Sequence, residues 1–416
     1  MNTEPIVISL KESNAILHES GIYFFSKNKD LTDELKSISE KRRQEIDIPK
    51  NERDRLAKVV IFLSTDCNLR CIYCYASSGM NHKVVSVEKA KVLIDFIASK
   101  CDRLILDFHG GGEPLIHFDI IKEIYDYAKA TGKLYRTVLI SNGVIEKNRN
   151  EILQWIIEHV DNMAISCDGY REIQGVQRPS VNSLKNSSSE VESTIKFFVD
   201  NNYTFTVRST ITAFSAPKLK EITKYFAELG VKYIVFAPCY NYGRSNSKNL
   251  IPNPVVYGEN YLKAIEYAAK NQVRITSNSF RFPGYHYCGA LSGFNIALTV
   301  DGDISTCYEV TENNEDVASQ IFIVGKVMND RVIFENEKVS KLIQMENTPD
   351  LKCFCCPYRL VCRGGCPVKK IRNSDDSLNN LCGITKYLVP RILEFLNMHP
   401  EASEYILKGV KYETTD

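Results

Sequence analysis

Between residues 58 and 242 the spacing of apolar positions changes period in a regular alternation. Runs rich in β-branched and aromatic residues fall at 58–64, 103–109, 135–141, 162–167, 203–212 and 233–238. Stretches with apolar residues at three- and four-residue intervals separate them, at 86–100, 117–131, 150–160, 189–201 and 217–229. Six strands joined by five helical crossovers predict an α/β fold built on a parallel βα array. In such arrays the functional loops gather at the carboxyl ends of the strands. Ahead of the array, residues 1–57 predict a short lead-in, with strands at 7–10 and 21–25, a helix over 31–41 and a densely charged connector at 37–55. Behind it, 243–285 reads as a linker or bridging region, 286–385 as a small Cys-rich domain and 386–416 as a helical tail. That tail carries Leu388, Ile392 and Leu396 on one face and is interrupted by Pro390 and Pro400. The Ser/Asn-rich segment Gln177–Glu190 reads as a mobile surface loop at the rim of the array.

Composition narrows the class. The 416 residues include 52 Lys and Arg against 51 Asp and Glu, so no polyanionic partner is implied and nucleic acid is disfavoured. No run approaches a membrane span, and the N-terminus lacks the basic and apolar regions of a signal peptide. The expected location is the cytoplasm. Fourteen Cys in such a chain point to metal or catalysis, not to a disulfide framework.

The cysteines are not scattered. Cys67, Cys71 and Cys74 follow the first strand of the array with C-x3-C-x2-C spacing. Three thiolates so placed can hold three irons of a [4Fe–4S] cube and leave the fourth free, whereas electron-carrying clusters normally take four Cys. A zinc loop is the competing reading, although zinc sites favour C-x2-C pairs and four closed ligands. His109-Gly110-Gly111-Gly112-Glu113-Pro114 closes the second strand. Consecutive glycines let backbone approach a ligand, and a carboxylate can hold an ammonium group. Ser141-Asn142-Gly143 makes a turn after the third strand, and Ser166-Cys167-Asp168-Gly169 ends the fourth. Arg208, on the fifth, presents a guanidinium fork suited to a carboxylate. Farther on, Cys353, Cys356, Cys362 and Cys366 are spaced C-x2-C-x5-C-x3-C, with Cys288 and Cys307 before them, Cys355 among them and Cys382 after. Cys101, Cys167 and Cys239 lie in apolar surroundings and read as small buried hydrophobes, and Trp155 as core.

The trio and the GGE after the next strand resemble the radical S-adenosylmethionine (SAM) superfamily, and the later cysteines resemble its SPASM extension. The resemblance covers roughly residues 58–385 and implies a partial (βα)6 barrel followed by a SPASM domain. It implies SAM and three [4Fe–4S] clusters as cofactors, one binding SAM and two auxiliary. Gly111, Gly112 and Glu113 would meet the amino group of SAM, Ser141 and Asn142 would lie near the ribose, and Ser166 and Arg208 would touch sugar and carboxylate. Tyr73 would lie beside the adenine. Cys353, Cys356, Cys362 and Cys382 would hold the outer auxiliary cluster, and Cys288, Cys307 and Cys366 the inner one. The fullest SPASM pattern has another Cys shortly after the first, absent here, so the inner cluster has an open iron or is completed by Cys355 or His286.

The same resemblance implies a 5′-deoxyadenosyl radical that takes hydrogen from substrate, with auxiliary clusters to accept the electron left behind. The expected partners are a precursor peptide, held through a leader that residues 1–57 are a candidate to bind, and a flavodoxin- or ferredoxin-type reductant. The leading expectation is a maturase of ribosomally made peptides that forms a Cys thioether. Its alternatives are a formylglycine-generating sulfatase maturase, a carbon–carbon bond-forming cyclase and, outside catalysis, an iron–sulfur carrier or zinc module. Sulfatase maturases carry an Asp directly after the Cys matching Cys307, where this chain has Tyr308. Glu309, Asp301 and His109 are candidate bases.

Overall fold

The computed structural model describes residues 4–18, 20–45, 55–181, 186–245, 249–280, 289–291, 295–347, 351–362, 364–372, 376–406 and 412–414. At the front, β1 (Ile6–Ser9), β2 (Ser13–His18) and β3 (Gly21–Ser26) form an antiparallel sheet. The helix Thr32–Glu45 covers it by packing Ile38 and Leu35, together with Leu31 just before the helix, against Ile16, Tyr23 and Phe25.

All six expected strands of the array form: β4 (Leu56–Ile61), β5 (Arg103–Phe108), β6 (Leu134–Ser141), β7 (Asn162–Ser166), β8 (Phe205–Ile211) and β9 (Tyr233–Pro238). Each pairs in parallel with the next. The helices between them are Val87–Ala98, Phe118–Ala130, Arg149–His159, Ser188–Asp200 and Leu219–Glu228, each within two residues of its expected bounds. A seventh parallel strand, β10 (Arg274–Ser277), pairs with β9 inside the stretch expected to bridge, which also contains the helix Pro254–Lys270. Asn253 caps that helix, its side-chain oxygen accepting from the amides of Val255 (2.9 Å) and Val256 (3.2 Å).

The Cys-rich part continues the same sheet instead of standing apart. Strand β11 (Asn295–Leu298) joins β4 in parallel, and β12 (Asp303–Ser305), β13 (Ile323–Met328) and β14 (Arg331–Phe334) follow as antiparallel neighbours. Strands β11 and β12 form a hairpin, which Gly302 turns at φ +89°. The helix Asp376–Met398 runs through Pro390 and buries Leu388, Ile392 and Leu396. It lies along Pro254–Lys270, where Gly258 leaves room for the Tyr387 ring, so it covers a flank of the barrel. Finally β15 (Tyr412–Thr414) returns to pair with β3, which places a strand inside the tail expected to be helical. Among the described residues no helix is long and apolar enough to cross a membrane.

Along β8, Phe205, Val207, Ser209 and Ile211 are buried under the helices, while Thr206, Arg208 and Thr210 are half-buried on the other face. Phe62, Phe108, Phe198, Phe226 and Phe236 are almost completely buried, each contributing about 1.5–3 kcal/mol. Most hydrophobic packing falls between sheet and helices, whereas Val60, Phe62 and Ala297 form a separate small apolar cluster with Tyr308 on the inner face, beside the polar groups there.

Candidate active site

The cysteine trio sits in the loop after β4, and neighbouring strand ends hold that loop by backbone. The Gly112 amide donates to the Ser64 carbonyl and the Glu113 amide to the Asp66 carbonyl, both at 2.6 Å. Arg70 N donates to Pro179 O (2.7 Å), Ile72 N to Gln177 O (3.0 Å) and Arg244 N to Cys74 O (3.0 Å). The glycines make this clasp possible. Gly110 and Gly111 have φ +90° and +67°, and a Cβ on Gly112 would overlap the Asp66 carbonyl oxygen. Thus the close approach read from the sequence is, on these faces, an approach to the protein's own loop.

Glu113, 3% exposed, bridges two strand ends. Its carboxylate accepts from Ser141 Oγ (2.7 Å), the Asn142 amide (2.7 Å) and the Leu115 amide (3.1 Å). Burial nonetheless raises its pKa. The Asn142 side chain lies 3.9 Å from Cys67 Sγ and donates to Asn68 at 2.8 Å. Ser166 and Arg208 are register partners across β7 and β8, hence on one face. The Arg208 carbonyl accepts from the Cys167 amide at 3.1 Å, but its guanidinium makes no hydrogen bond or ion pair among the described residues. Burial lowers its pKa, opposed by the nearby Tyr75, Asp107 and Glu309.

Tyr73 donates its hydroxyl to Asp168. Asp168 also accepts from Gln177 Nε2 (2.7 Å) and the Thr210 amide (2.9 Å), and pairs with Arg178 Nε at 3.1 Å. Arg178 is 8% exposed and reaches Cys71 Sγ at 3.8 Å, its guanidinium 5.4 Å from the Tyr73 ring centre. Sequence reasoning missed this residue and placed it in a surface loop. The structure instead has a helix Arg171–Gln177, a buried Gln177 and Arg178, and a bridge from Ser180 to Leu69. Residues 182–185 of that segment lie outside the described residues.

On the inner face, Lys58 pairs with buried Asp107 at 2.5 Å. His109 meets the Tyr308 ring edge-on at 5.3 Å, and burial, with Arg208 and Lys58 nearby, lowers its pKa to about 3. Tyr308 donates to Asn295 (2.7 Å). Glu309 accepts from Tyr240 (2.5 Å) and lies 3.8 Å from Lys369. Asp301 is instead paired with Lys83 at 3.0 Å, half-exposed. Of the three candidate bases, only His109 and Glu309 therefore face the barrel interior.

The Cys362 thiol is raised to about 11 by burial and then by Cys382, Cys353 and Cys356, which brings those four together. Cys366 and Cys307 stand on the barrel side, near Tyr240 and Tyr75 respectively. Cys355 is exposed, and Cys101, Cys167 and Cys239 are buried. Cys288 and His286 lie outside the described residues.

Burial, with the neighbouring thiols, pushes Cys67 up to about 12 and Cys71 up to about 11. Such thiols gain most from a cation that deprotonates them outright. Among the described residues no three His, Cys, Asp or Glu groups converge on a single ion. A cubane needs no such convergence, because each thiolate takes its own iron. The trio, with the Arg208 guanidinium near Tyr75 and without a hydrogen-bond or ion-pair partner among the described residues, fits an iron–sulfur cube carrying a carboxylate-bearing ligand.

Residues 61–215 match the Radical SAM superfamily. An uncharacterised protein of Methanocaldococcus jannaschii is 29% identical over 258 residues, 61% of this chain and 85% of that one. A cysteine-type anaerobic sulfatase-maturating enzyme of Clostridium perfringens is 24% identical over 369 residues, covering 80% and 96% of the two chains. Among solved structures, anSMEcpe with bound AdoMet and a Cp18Cys peptide superposes at TM-score 0.66, with 19% identity over 82% of this chain and 99% of the other. Streptococcus suis SuiB bound to its precursor peptide SuiA gives TM-score 0.57, with 12% identity over 91% and 99%.

Proposed function

This chain is a radical SAM superfamily enzyme, and on that premise we propose that it takes hydrogen from a peptide and closes a thioether from a Cys sulfur. When bound, a cluster on Cys67, Cys71 and Cys74 and its SAM supply a 5′-deoxyadenosyl radical. The carrying observation is Arg208: a guanidinium on the inner face, near Tyr75, with no hydrogen-bond or ion-pair partner among the described residues. In this reading it takes the SAM carboxylate. Ser166, its register partner, and Ser141 and Asn142 line the ribose; Gly111, Gly112 and Glu113 meet the amino group, and Tyr73 the adenine. The barrel excludes water and stray hydrogen donors.

Cys353, Cys356, Cys362 and Cys382 hold an outer auxiliary cluster in this proposal. Cys288, Cys307 and Cys366 hold an inner one with an open iron for a substrate thiolate. The exposure of Cys355 argues against it as the missing ligand. Residues 1–57, which supply β1, β2 and β3 of the small front sheet, are the proposed leader-binding element, and a flavodoxin- or ferredoxin-type protein the reductant. The peptide substrate is supported by the relatives, named for sulfatase maturation and solved with bound peptides.

A second reading, formylglycine formation, draws on those same names. Tyr308, beside Cys307 and hydrogen-bonded to Asn295, weighs against it, since no carboxylate stands there. The test is product analysis after anaerobic incubation with SAM, a reductant and a Cys-containing precursor. The expected result is 5′-deoxyadenosine and a peptide short of two hydrogen atoms and one free thiol. An aldehyde selects the second reading, loss of two hydrogens with every thiol free selects a carbon–carbon crosslink, and absence of 5′-deoxyadenosine sinks all three.

A further inference from the structure

We infer that Arg178, held by Asp168, sets the electron affinity of the cluster on Cys67, Cys71 and Cys74; this rests on the radical SAM reading above. Three guanidiniums surround the loop. Arg70 donates to the carbonyls of Cys67 (2.7 Å), Leu69 (3.0 Å) and Gly79 (2.7 Å). Arg244 donates to those of Cys71 (3.3 Å) and Ser78. Both fasten backbone. Arg178 differs: among the described residues it is the only charged side chain donating to a sulfur of the trio, Cys71 Sγ at 3.8 Å.

Its position is fixed from several directions. The Arg178 amide donates to Gln174 O (2.8 Å), and its carbonyl accepts from Ser187 Oγ (2.9 Å). Asp168 holds the guanidinium and is itself held by Tyr73, Gln177 and Thr210. A buried cation kept on a ligand sulfur stabilises whichever redox state carries more negative charge. Hydrogen bonds to sulfur, net charge and solvent exposure are the levers by which a protein sets such a potential. One-electron reduction adds negative charge next to Arg178, so Arg178 favours the reduced cluster. The Asp168 carboxylate offsets part of that charge and restrains the effect. Arg178 is therefore a positioning and tuning residue, with no contact to substrate required.

The two partners predict opposite signs, which loss of packing cannot produce. The full chain, reconstituted anaerobically with iron and sulfide, is titrated potentiometrically by EPR, following the component that SAM perturbs. At a fixed potential, Arg178→Gln is expected to lower the reduced-to-oxidised ratio about tenfold, equal to about 59 mV for one electron. Asp168→Asn is expected to raise the ratio severalfold. Arg178→Lys, which keeps the charge, is expected to stay within about threefold of wild type. An unshifted Arg178→Gln, or shifts of one sign in both variants, overturns the inference. If Arg178→Gln assembles no cluster, Asp168→Asn decides: a raised ratio supports the inference, and an unchanged or lowered one overturns it. A wild type whose signal ignores SAM sinks the radical SAM reading and this inference together. A responsive wild type with an unshifted Arg178→Gln sinks the inference alone.

Discussion

Two cysteine-bearing regions of this chain are built in contrasting ways. The Cys67–Cys74 loop is fastened by hydrogen bonds to residues far away in sequence, at Gly112, Glu113, Gln177, Pro179 and Arg244. Around Cys353, Cys356, Cys362 and Cys366 the described backbone bonds are local. Cys356 N donates to Cys353 O, Cys362 N to Tyr358 O, Gly365 N to Cys362 O and Lys370 N to Cys366 O. Those cysteines ride on very short helices, Leu351–Phe354 and Arg359–Cys362, with Pro367–Arg372 following. The barrel loop is tied to distant backbone, whereas the later cysteines have local backbone bonds among the described residues and are anchored through side chains, with Leu360, Val361 and Val368 in the core and Arg372 paired with Asp316 at 2.8 Å. In the proposed function, metal binding serves as folding energy in the second region and as chemistry in the first.

The largest expected effect breaks the first half of that contrast. Replacing Cys67, Cys71 and Cys74 together by Ala is expected to reduce 5′-deoxyadenosine to the enzyme-free control. The melting temperature should stay within about 3 °C, because the loop is tied by backbone. A collapse in stability would show instead that the cluster holds the loop. Next in size, Gly112→Ala drives a Cβ into the Asp66 carbonyl and is expected to cost at least about 4 kcal/mol in denaturant unfolding.

The acid limb supplies the third prediction. His109 titrates at about 3 in the fold because burial, then Arg208 and Lys58, disfavour its charge, whereas an unfolded His titrates near 6.5. Between those values the unfolded chain binds the extra proton, so this contribution is present above pH 6.5 and lost as pH falls towards 3. His109→Gln is expected to flatten stability against pH there by up to about 1.4 kcal/mol per unit. The smallest effect sharpens the second half of the contrast. Cys362→Ala is expected to lower hydrogen-exchange protection across 351–372 by about tenfold, leaving 64–74 unchanged. Equal loss in both regions would contradict the contrast.

Much of the barrel was legible because its strands and helices differ in apolar period, and each period matches its surroundings. The failures share a cause, which is dependence on distant chain. Strand β2 mixes polar and apolar residues (Ser13, Asn14, His18) and becomes a strand only between β1 and β3. Strands β10 and β15, four and three residues long, are defined by their parallel partners. Arg178 sits in a Ser/Asn-rich segment whose local chemistry says loop, and only Asp168 and Cys71 make it a buried cation. The signal available was an Arg ten residues beyond an Asp-Gly at a strand end, too slight alone. The glycines read as a site of close approach lie against the protein's own loop, Gly111 and Gly112 at the carbonyls of Ser64 and Asp66 and Gly110 at the Phe62 ring.

The central claim is that the loop after β4 holds a cube with one iron left for SAM. EPR of the anaerobically reconstituted, reduced protein, recorded with and without SAM, tests it most directly. The account predicts a SAM-dependent change in the signal that disappears when Cys67, Cys71 and Cys74 are replaced together. A signal indifferent to SAM, or a change that survives those replacements, would contradict it.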